Sequence, residues 1–543
     1  MSTATERAIV PDDVHGLIER AARMWPDKVG LTFPHLATDL TFGQINQMAN
    51  DFADVLARHG IGSGDRVAVL LRNRPEFAGV WLAAAKIGAM MVPINTRFTA
   101  SEVRYVLEHS GAALLVTEDN LASLAAGCAV TVLTCRELVV PRAEEVQRGD
   151  LELEHRADAA TLLNIQYTSG TTAKPKGCLL PQGYWIRIAK EMTLPDPDGR
   201  STVSIGHHDR FLIAQPMHYM DPQWHIASAL MAGATLVILD GFHPSTFWDA
   251  IREHRVTIFY CLGAMPTLLL KMPAHADDHN HLVRAILCSA IPPDLHTELE
   301  RRWGAPWFEL YGMTETGVDI RVRAAEHDEL LGTACIGRPA LDREAGILDE
   351  EGRPLPAGSL GELALRGPWM MDGYFRDQEA TDRVRIDGWL RTGDLARMDE
   401  EGRIYFVGRA KHMIRRAGEN ISAAQVEEAL VAHSDVIEAA CVPVPDALRG
   451  EEVGAFVRMR GGAAPDPEAL AQHAQTRLAK FKVPRFWTFV DSFPRTASER
   501  VERRHLVAGL GPGPVVYDRA EGTWIESPFN TGKNLTTTTE GGI

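Results

Sequence analysis

The sequence predicts an α/β protein. A large N-terminal domain holds two layered α/β subdomains and a small β-rich subdomain, and a small α+β domain follows it. Three observations carry this. The chain has 543 residues, beyond the size at which one hydrophobic core keeps growing. Its first three hundred or so residues alternate helical periodicity with short apolar runs, the pattern of parallel strands joined by helices. From about Gly337, short strand-like runs follow one another with turn residues between them.

Taken in order, Val14 to Met24 reads as an amphipathic helix. Thr41 to His59 reads as a second, with Phe42, Ile45, Met48, Ala49, Phe52 and Leu56 on one face. Arg66 to Leu71 is a short apolar strand, and Phe77 to Ile87 is helical again. Ala113 to Val116, Ala129 to Leu133, Arg210 to Ala214 and Thr235 to Leu239 read as further buried strands. The β-rich part runs over about 337–407 and contains strands near Gly346, Gly361 and Gly402. Beyond Gly408, Ala423 to His433 is the clearest helix, with Val426, Ala429, Leu430 and Val431 on one side. Residues 511–543 hold Gly-Pro-Gly-Pro, a threonine run and Gly-Gly, and read as a mostly disordered tail.

The composition is 45% hydrophobic and 24% charged, that of a globular protein. The formal net charge is −16, which repels nucleic acid and anionic lipid surfaces, so neither is an expected partner. Any phosphorylated ligand then needs a local cluster of donors. The seven cysteines form no Cys-x-x-Cys pair, and no Cys/His spacing fits zinc. No segment is long and apolar enough to span a bilayer, and the polar start lacks a signal-peptide pattern. A cytoplasmic protein with reduced thiols, able to pair as a homodimer, is expected.

One segment stands out chemically: Tyr167-Thr-Ser-Gly-Thr-Thr-Ala-Lys-Pro-Lys-Gly177, which follows the apolar run Leu162 to Ile165. Thr168, Ser169, Thr171 and Thr172 supply hydroxyl donors. Gly170 lets backbone N–H groups converge on an anion, and Lys174 and Lys176 add positive charge. Such a loop suits the β- and γ-phosphates of a nucleotide. It is not a Walker A loop, because no Lys-Ser or Lys-Thr follows Gly177. A merely polar turn is the competing reading, and the density of hydroxyls beside two lysines argues against it.

This segment resembles the phosphate loop of the adenylate-forming superfamily, which includes acyl-CoA synthetases. Further motifs follow in that family's order: Tyr311-Gly-Met-Thr-Glu-Thr316, Trp389-Leu-Arg-Thr-Gly-Asp394, and Gly408-Arg-Ala-Lys-His-Met-Ile414 with Gly418-Glu-Asn-Ile421. Phe481-Lys-Val-Pro484 and Phe493-Pro-Arg-Thr496 complete the series. The resemblance covers about residues 12–507.

The resemblance implies two half-reactions. A carboxylate displaces pyrophosphate from ATP to give acyl-AMP, and a thiol, usually that of CoA, then displaces AMP. It implies residues 1–409 as the AMP-binding domain, 410–412 as a hinge around Lys411, and 413–510 as a mobile C-terminal domain. Glu315 would hold Mg²⁺, for which one carboxylate plus phosphates and waters suffices. Thr314 would donate to the α-phosphate. Tyr311, with Gly312 and Met313, would lie along the adenine, as would Ser289 and Ala290. Asp394 would accept both ribose hydroxyls, and Arg409 would reach ribose or phosphates. Gly418 and Glu419 would border the tunnel for the CoA thiol. His218 would gate the acyl pocket, which Tyr219, Trp224 and Gly263 would line.

The sequence departs from the family at a telling place. After Pro494-Arg-Thr, Glu499 stands for a usual glycine and Arg500 for the catalytic lysine, and no lysine occurs from Val483 to Gly532. A guanidinium is planar and wider than an ammonium. A loss on the order of 10²-fold or more in adenylation is expected if that contact is made in the transition state. Ala173 replaces a glycine in the phosphate loop, Gln182 a frequent histidine, and His412 a common aspartate; Ser289-Ala-Ile291 replaces a Gly-rich stretch. The resulting expectation is an acyl-CoA ligase relative that makes the thioester from an acyl-adenylate and CoA. Adenylation would be weak or absent, with a separate adenylating enzyme as its supplier. A complete ATP-dependent ligase and a non-catalytic AMP- or acyl-CoA-binding protein are the alternatives.

Overall fold

The computed structural model describes residues 10–141, 157–168, 175–194, 203–340, 342–409, 413–416, 419–446, 448–461, 463–495, 501–508, 515–526 and 528. The first helix spans Val14–Met24, and the Asp13 carboxylate caps it by accepting from the Gly16 N–H at 2.6 Å. The second spans Phe42–Arg58. It starts with a capping box in which Thr41 and Gln44 satisfy each other's backbone N–H groups. The apolar face expected of it is buried: Phe42, Ile45, Met48, Ala49, Phe52 and Leu56 are each at most 1% exposed.

A six-stranded sheet runs in the spatial order Thr131–Thr134, Leu114–Thr117, Arg66–Leu70, Met90–Pro93, Leu162–Thr168, Lys176–Pro181. The first five are parallel, and the last returns antiparallel as a hairpin. A second parallel run comprises Thr235–Ile238, Arg210–Ile213, Ile258–Leu262, Ala285–Ser289 and Trp307–Met313. Both runs are covered by helices, which is why their strands read as continuous apolar segments. One core joins them across helices Pro75–Ile87 and Gln182–Thr193, where Trp81 and Trp185 meet edge to face at 5.4 Å.

The β-rich part continues a sheet of the α/β body. Trp307–Met313 turns back as Gly317–Arg321, whose free edge pairs with Cys335–Pro339. The strands from there to Arg409 extend the same sheet, fourteen-stranded among the described residues. The join needs Gly337: a Cβ there would lie 1.9 Å from the Arg321 carbonyl, and its φ is +102°.

The C-terminal domain is a separate sheet built on the hairpin Val436–Asp446 and Gly450–Met459. Helices Ala423–Val431 and Pro467–Gln475 pack on it, the first ending two residues earlier than expected, with Ala432 as its C-cap. A correction applies to the expected tail. Val516–Asp518 and Thr523–Ile525 form a hairpin paired to Phe486–Phe489. Two anchors outweigh the local Gly/Pro content: Val516 is buried with Val444 and Phe486, and Arg485 grips Asp518 at 2.8 Å. Residues 529–543 and the expected hinge 410–412 lie outside the described residues. The two domains touch where the Lys271 ammonium donates to the Val436 carbonyl and where Arg477 lies 3.6 Å from Asp294. All seven cysteines are free, and no helix among the described residues is long and apolar enough to cross a membrane.

Candidate active site

The site begins at the hairpin that ends strand Trp307–Met313. Met313 pairs with Gly317, so Thr314, Glu315 and Thr316 form the tip. The turn is tight enough that a Cβ on Gly312 would meet the Gly317 carbonyl at 1.9 Å. Buried side chains brace it from behind. Thr316 Oγ1 donates to Asp319, and the guanidinium of Arg343 donates to Asp319 at 2.7 Å and to the Thr316 carbonyl at 2.9 Å. Arg187 lies 3.6 Å from Asp319 and pairs with Asp342 at 2.7 Å. Tyr184 donates to the Thr314 carbonyl at 3.1 Å. Glu315 is nearly buried, and its Oε1 accepts from the Tyr374 hydroxyl at 2.8 Å.

Beside this turn, strands Trp389–Met398 and Ile404–Arg409 place Asp394 opposite Arg409. Asp394 is buried; its Oδ1 lies 2.6 Å from Arg409 Nε, and its Oδ2 accepts from the Tyr311 hydroxyl at 2.6 Å. Burial, followed by the neighbouring carboxylate charge, pushes the Tyr311 phenol far above its usual range, so it stays a donor. Tyr311, Asp394 and Arg409, far apart in sequence, are thus brought together.

Ser289 ends strand Ala285–Ser289, donates to the Leu310 carbonyl at 2.9 Å, and lies 3.0 Å from the Tyr260 hydroxyl. Ala290 adopts φ +70°, the left-handed region where a glycine would be unstrained. Glu309, which the motifs did not flag, holds it there: its two oxygens accept the Ala290 and Ile291 N–H groups at 2.7 Å each. Burial pushes this carboxyl up to about 8 against the pull of those two N–H groups, with Glu428 of the C-terminal domain raising it further. Its signal in the sequence was its place two residues before Tyr311 on a buried strand.

The hairpin that carries the phosphate loop pairs Tyr167 with Gly177 and Thr168 with Lys176. The described ends of the loop therefore face each other; Ser169, Gly170, Thr171 and Thr172 lie outside the described residues. Lys176 sits with Nζ 5.0 Å over the Tyr374 ring. Tyr374 too was missed by the sequence reading. Gln182, at the position of a frequent family histidine, is fully buried. It accepts from the Val14 N–H at 2.9 Å and donates to the Ala85 carbonyl at 2.8 Å, fastening the first helix to the third. Lys411, Gly418 and Arg500 lie outside the described residues, and Glu419 is placed in strand Glu419–Ser422 by its backbone alone.

Of the residues expected to serve the acyl group, His218 and Tyr219 precede helix Met220–Ala232, with their rings 4.4 Å apart. His218 is buried; its Nε2 has no hydrogen-bond partner among the described residues. Burial, then the charge of Arg97, pushes it down to about 3. The ring is neutral at any physiological pH. Gly263 has φ +60° and open space where a Cβ would stand. Trp224, expected to line the acyl pocket, has no exposed surface, stacks on His225 at 3.5 Å and is part of the hydrophobic core.

Glu315 offers carboxylate oxygens, one of them oriented by a phenol. That fits a hard cation such as Mg²⁺. Elsewhere the fold assembles His296, Glu300 and His327, which no sequence spacing announced. Their atoms are engaged with each other and the backbone. Glu300 Oε1 lies 2.8 Å from His327 Nε2 and accepts the Trp307 N–H at 2.7 Å; His296 Nε2 lies 3.0 Å from the Trp307 carbonyl. Glu300 is held down at about 2, chiefly by its bonds to the two histidines against the effect of burial, and His327 is raised to about 9 by Glu300. This is a buried ion pair that fastens helix Pro293–Trp303 to His327–Leu330.

Comparison with known proteins agrees with this geometry. The family model described as AMP-binding enzyme matches residues 18–375, and the one described as AMP-binding enzyme C-terminal domain matches 425–500. The crotonobetaine/carnitine–CoA ligase of Salmonella typhi is 32% identical over 512 residues, covering 89% of this chain and 97% of that protein. The o-succinylbenzoate CoA synthetase of Bacillus subtilis, solved with its acyl-adenylate intermediate, superposes with a TM-score of 0.79 at 28% identity. The match covers 90% of this chain and 97% of that one. The same synthetase with ATP and magnesium ion gives 0.78 over 90% and 98%. The chain belongs to the AMP-binding enzyme family of the adenylate-forming superfamily, and within it to the acyl-CoA ligases, which are acid–thiol ligases.

Proposed function

We propose that this chain joins a carboxylic acid to CoA in two steps on one site, with Arg500 making the first step the slow one. In the first, a carboxylate oxygen bonds to the α-phosphorus of ATP and pyrophosphate leaves. In the second, the CoA sulfur bonds to the acyl carbon, AMP leaves and the thiol proton passes to solvent. Both steps need charge neutralised on oxygen, and neither needs a protein nucleophile. Asp394 would take the ribose hydroxyls, with Tyr311 and Arg409 fixing its orientation. Thr314 and Lys176 would meet phosphate oxygens, and Glu315 would hold Mg²⁺, which neutralises the phosphates when bound. Ser289, Ala290, Gly312 and Met313 would border the adenine. Gly418 and Glu419 would border the thiol path, and Lys411 would be the hinge.

The observation that carries this reading is one hairpin serving two subsites. Tyr311 enters it bonded to the ribose-site carboxylate Asp394, and Glu315 leaves it facing Lys176 through Tyr374. A protein that merely bound AMP would need only the first of these. That argues for a complete ATP-dependent ligase over a silent binder, as do relatives named as ligases. Strict loss of adenylation, with a separate enzyme as supplier, has no support in those relatives and rests on Arg500 alone. The acyl group meets the neutral rings of His218 and Tyr219 and the open space at Gly263, a partly apolar pocket. The unpaired cysteines support a reducing, cytoplasmic setting.

Two assays on one preparation test this. One follows carboxylate-dependent exchange of pyrophosphate into ATP; the other supplies acyl-AMP and CoA and follows the thioester. Slow but measurable exchange, accelerated on the order of 10²-fold by Arg500→Lys with thioester formation unchanged, is expected. No exchange in either form beside rapid thioester formation would make this a thioesterifying enzyme alone. Silence in both assays across a panel of acids would return the binding-protein reading.

A further inference from the structure

Tyr374 lies on a strap, residues 371–375, that is stitched to both halves of the phosphate region. Asp372 donates to the Leu179 carbonyl at 2.8 Å, Leu179 to the Gly373 carbonyl at 2.9 Å, and Phe375 to the Gly177 carbonyl at 2.7 Å. The strap therefore runs along the strand that leaves the phosphate loop. At its other end Met371 donates to the Glu315 carbonyl at 2.9 Å. Between these anchors, Thr381 Oγ1 accepts the Tyr374 N–H at 2.9 Å and fixes where the ring stands. The hydroxyl donates to Glu315 Oε1 at 2.8 Å, and the ring face carries Lys176 Nζ at 5.0 Å. One side chain thus touches the acidic and the basic member of the phosphate site with different parts of itself.

We propose that Tyr374 is the positioning residue that ties the phosphate-loop lysine to the metal-binding glutamate, so that nucleotide phosphates and Mg²⁺ are taken up as one unit. The proposal rests on the reading of Glu315 and Lys176 given above. A phenol donating to one carboxylate oxygen leaves the other for a cation and fixes the carboxylate plane. The aromatic face holds an ammonium without neutralising it, which a carboxylate partner would do.

Calorimetric titration of ATP into the purified full chain, with and without Mg²⁺, separates the two contacts. Tyr374→Phe keeps the ring and removes the hydroxyl. ATP affinity without Mg²⁺ is expected to stay within about twofold, while the tightening produced by Mg²⁺ shrinks about tenfold. Tyr374→Leu removes both parts and is expected to weaken Mg²⁺-free ATP binding about threefold or more as well. Thioester formation from supplied acyl-AMP and CoA should fall less than ATP-dependent turnover in both, because no pyrophosphate or metal is handled there. In Glu315→Gln, adding Tyr374→Phe should cost nothing more, since the bond is already weakened. A normal Mg²⁺ effect in Tyr374→Phe would overturn the inference. So would equal loss in both half-reactions with a lowered Tm, which would mark a merely structural tyrosine. If the unaltered protein binds no ATP, the functional reading itself fails and this inference falls with it.

Discussion

The two sides of the site are held in opposite ways. On the side proposed for the nucleotide, carboxylates are fixed by directional bonds: Asp394 between Arg409 and Tyr311, and Glu315 beside Tyr374, on a turn braced by Arg343, Asp319 and Arg187. On the side proposed for the acyl group, His218, Tyr219, Trp224 and His225 are held by stacking and burial, and both histidines are pushed down to about 3 by desolvation. The first arrangement specifies a charged ligand through directional bonds. The second specifies volume and polarity, and it tolerates change. One family can therefore keep a nucleotide site and vary the acid it activates.

The contrast predicts the ranking of substitutions. Asp394→Ala should do most damage. It removes the acceptor of two short bonds and leaves the Tyr311 hydroxyl and Arg409 guanidinium facing each other unpaired. A fall of about 10²-fold or more in kcat/KM for the complete reaction is expected, read mainly in ATP affinity. A fall below tenfold would mean that the ribose is not bound there.

Glu309→Gln should come next, because Glu309 holds a strained backbone rather than a ligand. The amide keeps one acceptor oxygen but puts an NH2 donor where the second carboxyl oxygen stands, so one of the Ala290 and Ile291 bonds is lost whether or not the carboxyl carries a proton. A rise of about tenfold in KM for ATP is expected, with a smaller change in kcat. Its pH signature has a definite sign. Burial raises this carboxyl to about 8 from an ordinary value near 4.5. Its contribution to stability is therefore complete below about pH 4.5 and is lost as pH rises through about 8. Tm measured from pH 5 to 9 should decline more in the unaltered protein than in Glu309→Gln. Parallel curves would show that the carboxyl is charged throughout.

The same division explains what was legible in the sequence. Tyr311, Glu315, Asp394 and Arg409 sit in short motifs because chemistry fixes both residue type and spacing along one strand or turn. The strands and helices of the body were legible because a parallel sheet covered on both faces must be apolar throughout. Tyr374 and Glu309 were harder to find, since each acts on a residue distant in sequence or through backbone N–H groups, and only the place of Glu309 two residues before Tyr311 hints at it. Trp224 is ambiguous in the sequence for the converse reason. An aromatic next to expected pocket residues looks alike whether it faces a cavity or stacks on His225 in the core. The C-terminal hairpin was hidden by local composition, because Arg485 and Phe486, which hold it, come some thirty residues earlier.

Trp224→Phe should be milder than either carboxylate change. The site is tightly packed and a smaller ring leaves part of it empty, so a loss of about 1–2 kcal/mol in unfolding free energy is expected. ATP affinity should stay within about twofold while the preferred acid shifts toward bulkier members of a panel. Unchanged preference would mean that the pocket wall does not lean on this ring.

His218 gives the smallest expected effect and the sharpest test of the contrast. A histidine serving as general base would impose an acidic limb on the pH profile between about 6 and 7. Here desolvation, then the nearby Arg97 charge, depresses it to about 3, so the ring is neutral from pH 5 to 9 and carries no such limb. His218→Gln keeps a neutral polar side chain of similar reach. It is expected to change kcat/KM less than tenfold and to leave the shape of the profile unaltered. Stability should respond where activity does not. A depressed histidine contributes stability that is present above its unfolded value near 6.5 and is lost as pH falls toward 3, because unfolding frees it to take a proton. Between pH 7 and 5 the unaltered protein should therefore lose Tm faster than His218→Gln. If instead the substitution abolishes a limb in kcat/KM near pH 6.5, His218 takes a proton during turnover. The acyl side is then held by charge chemistry after all.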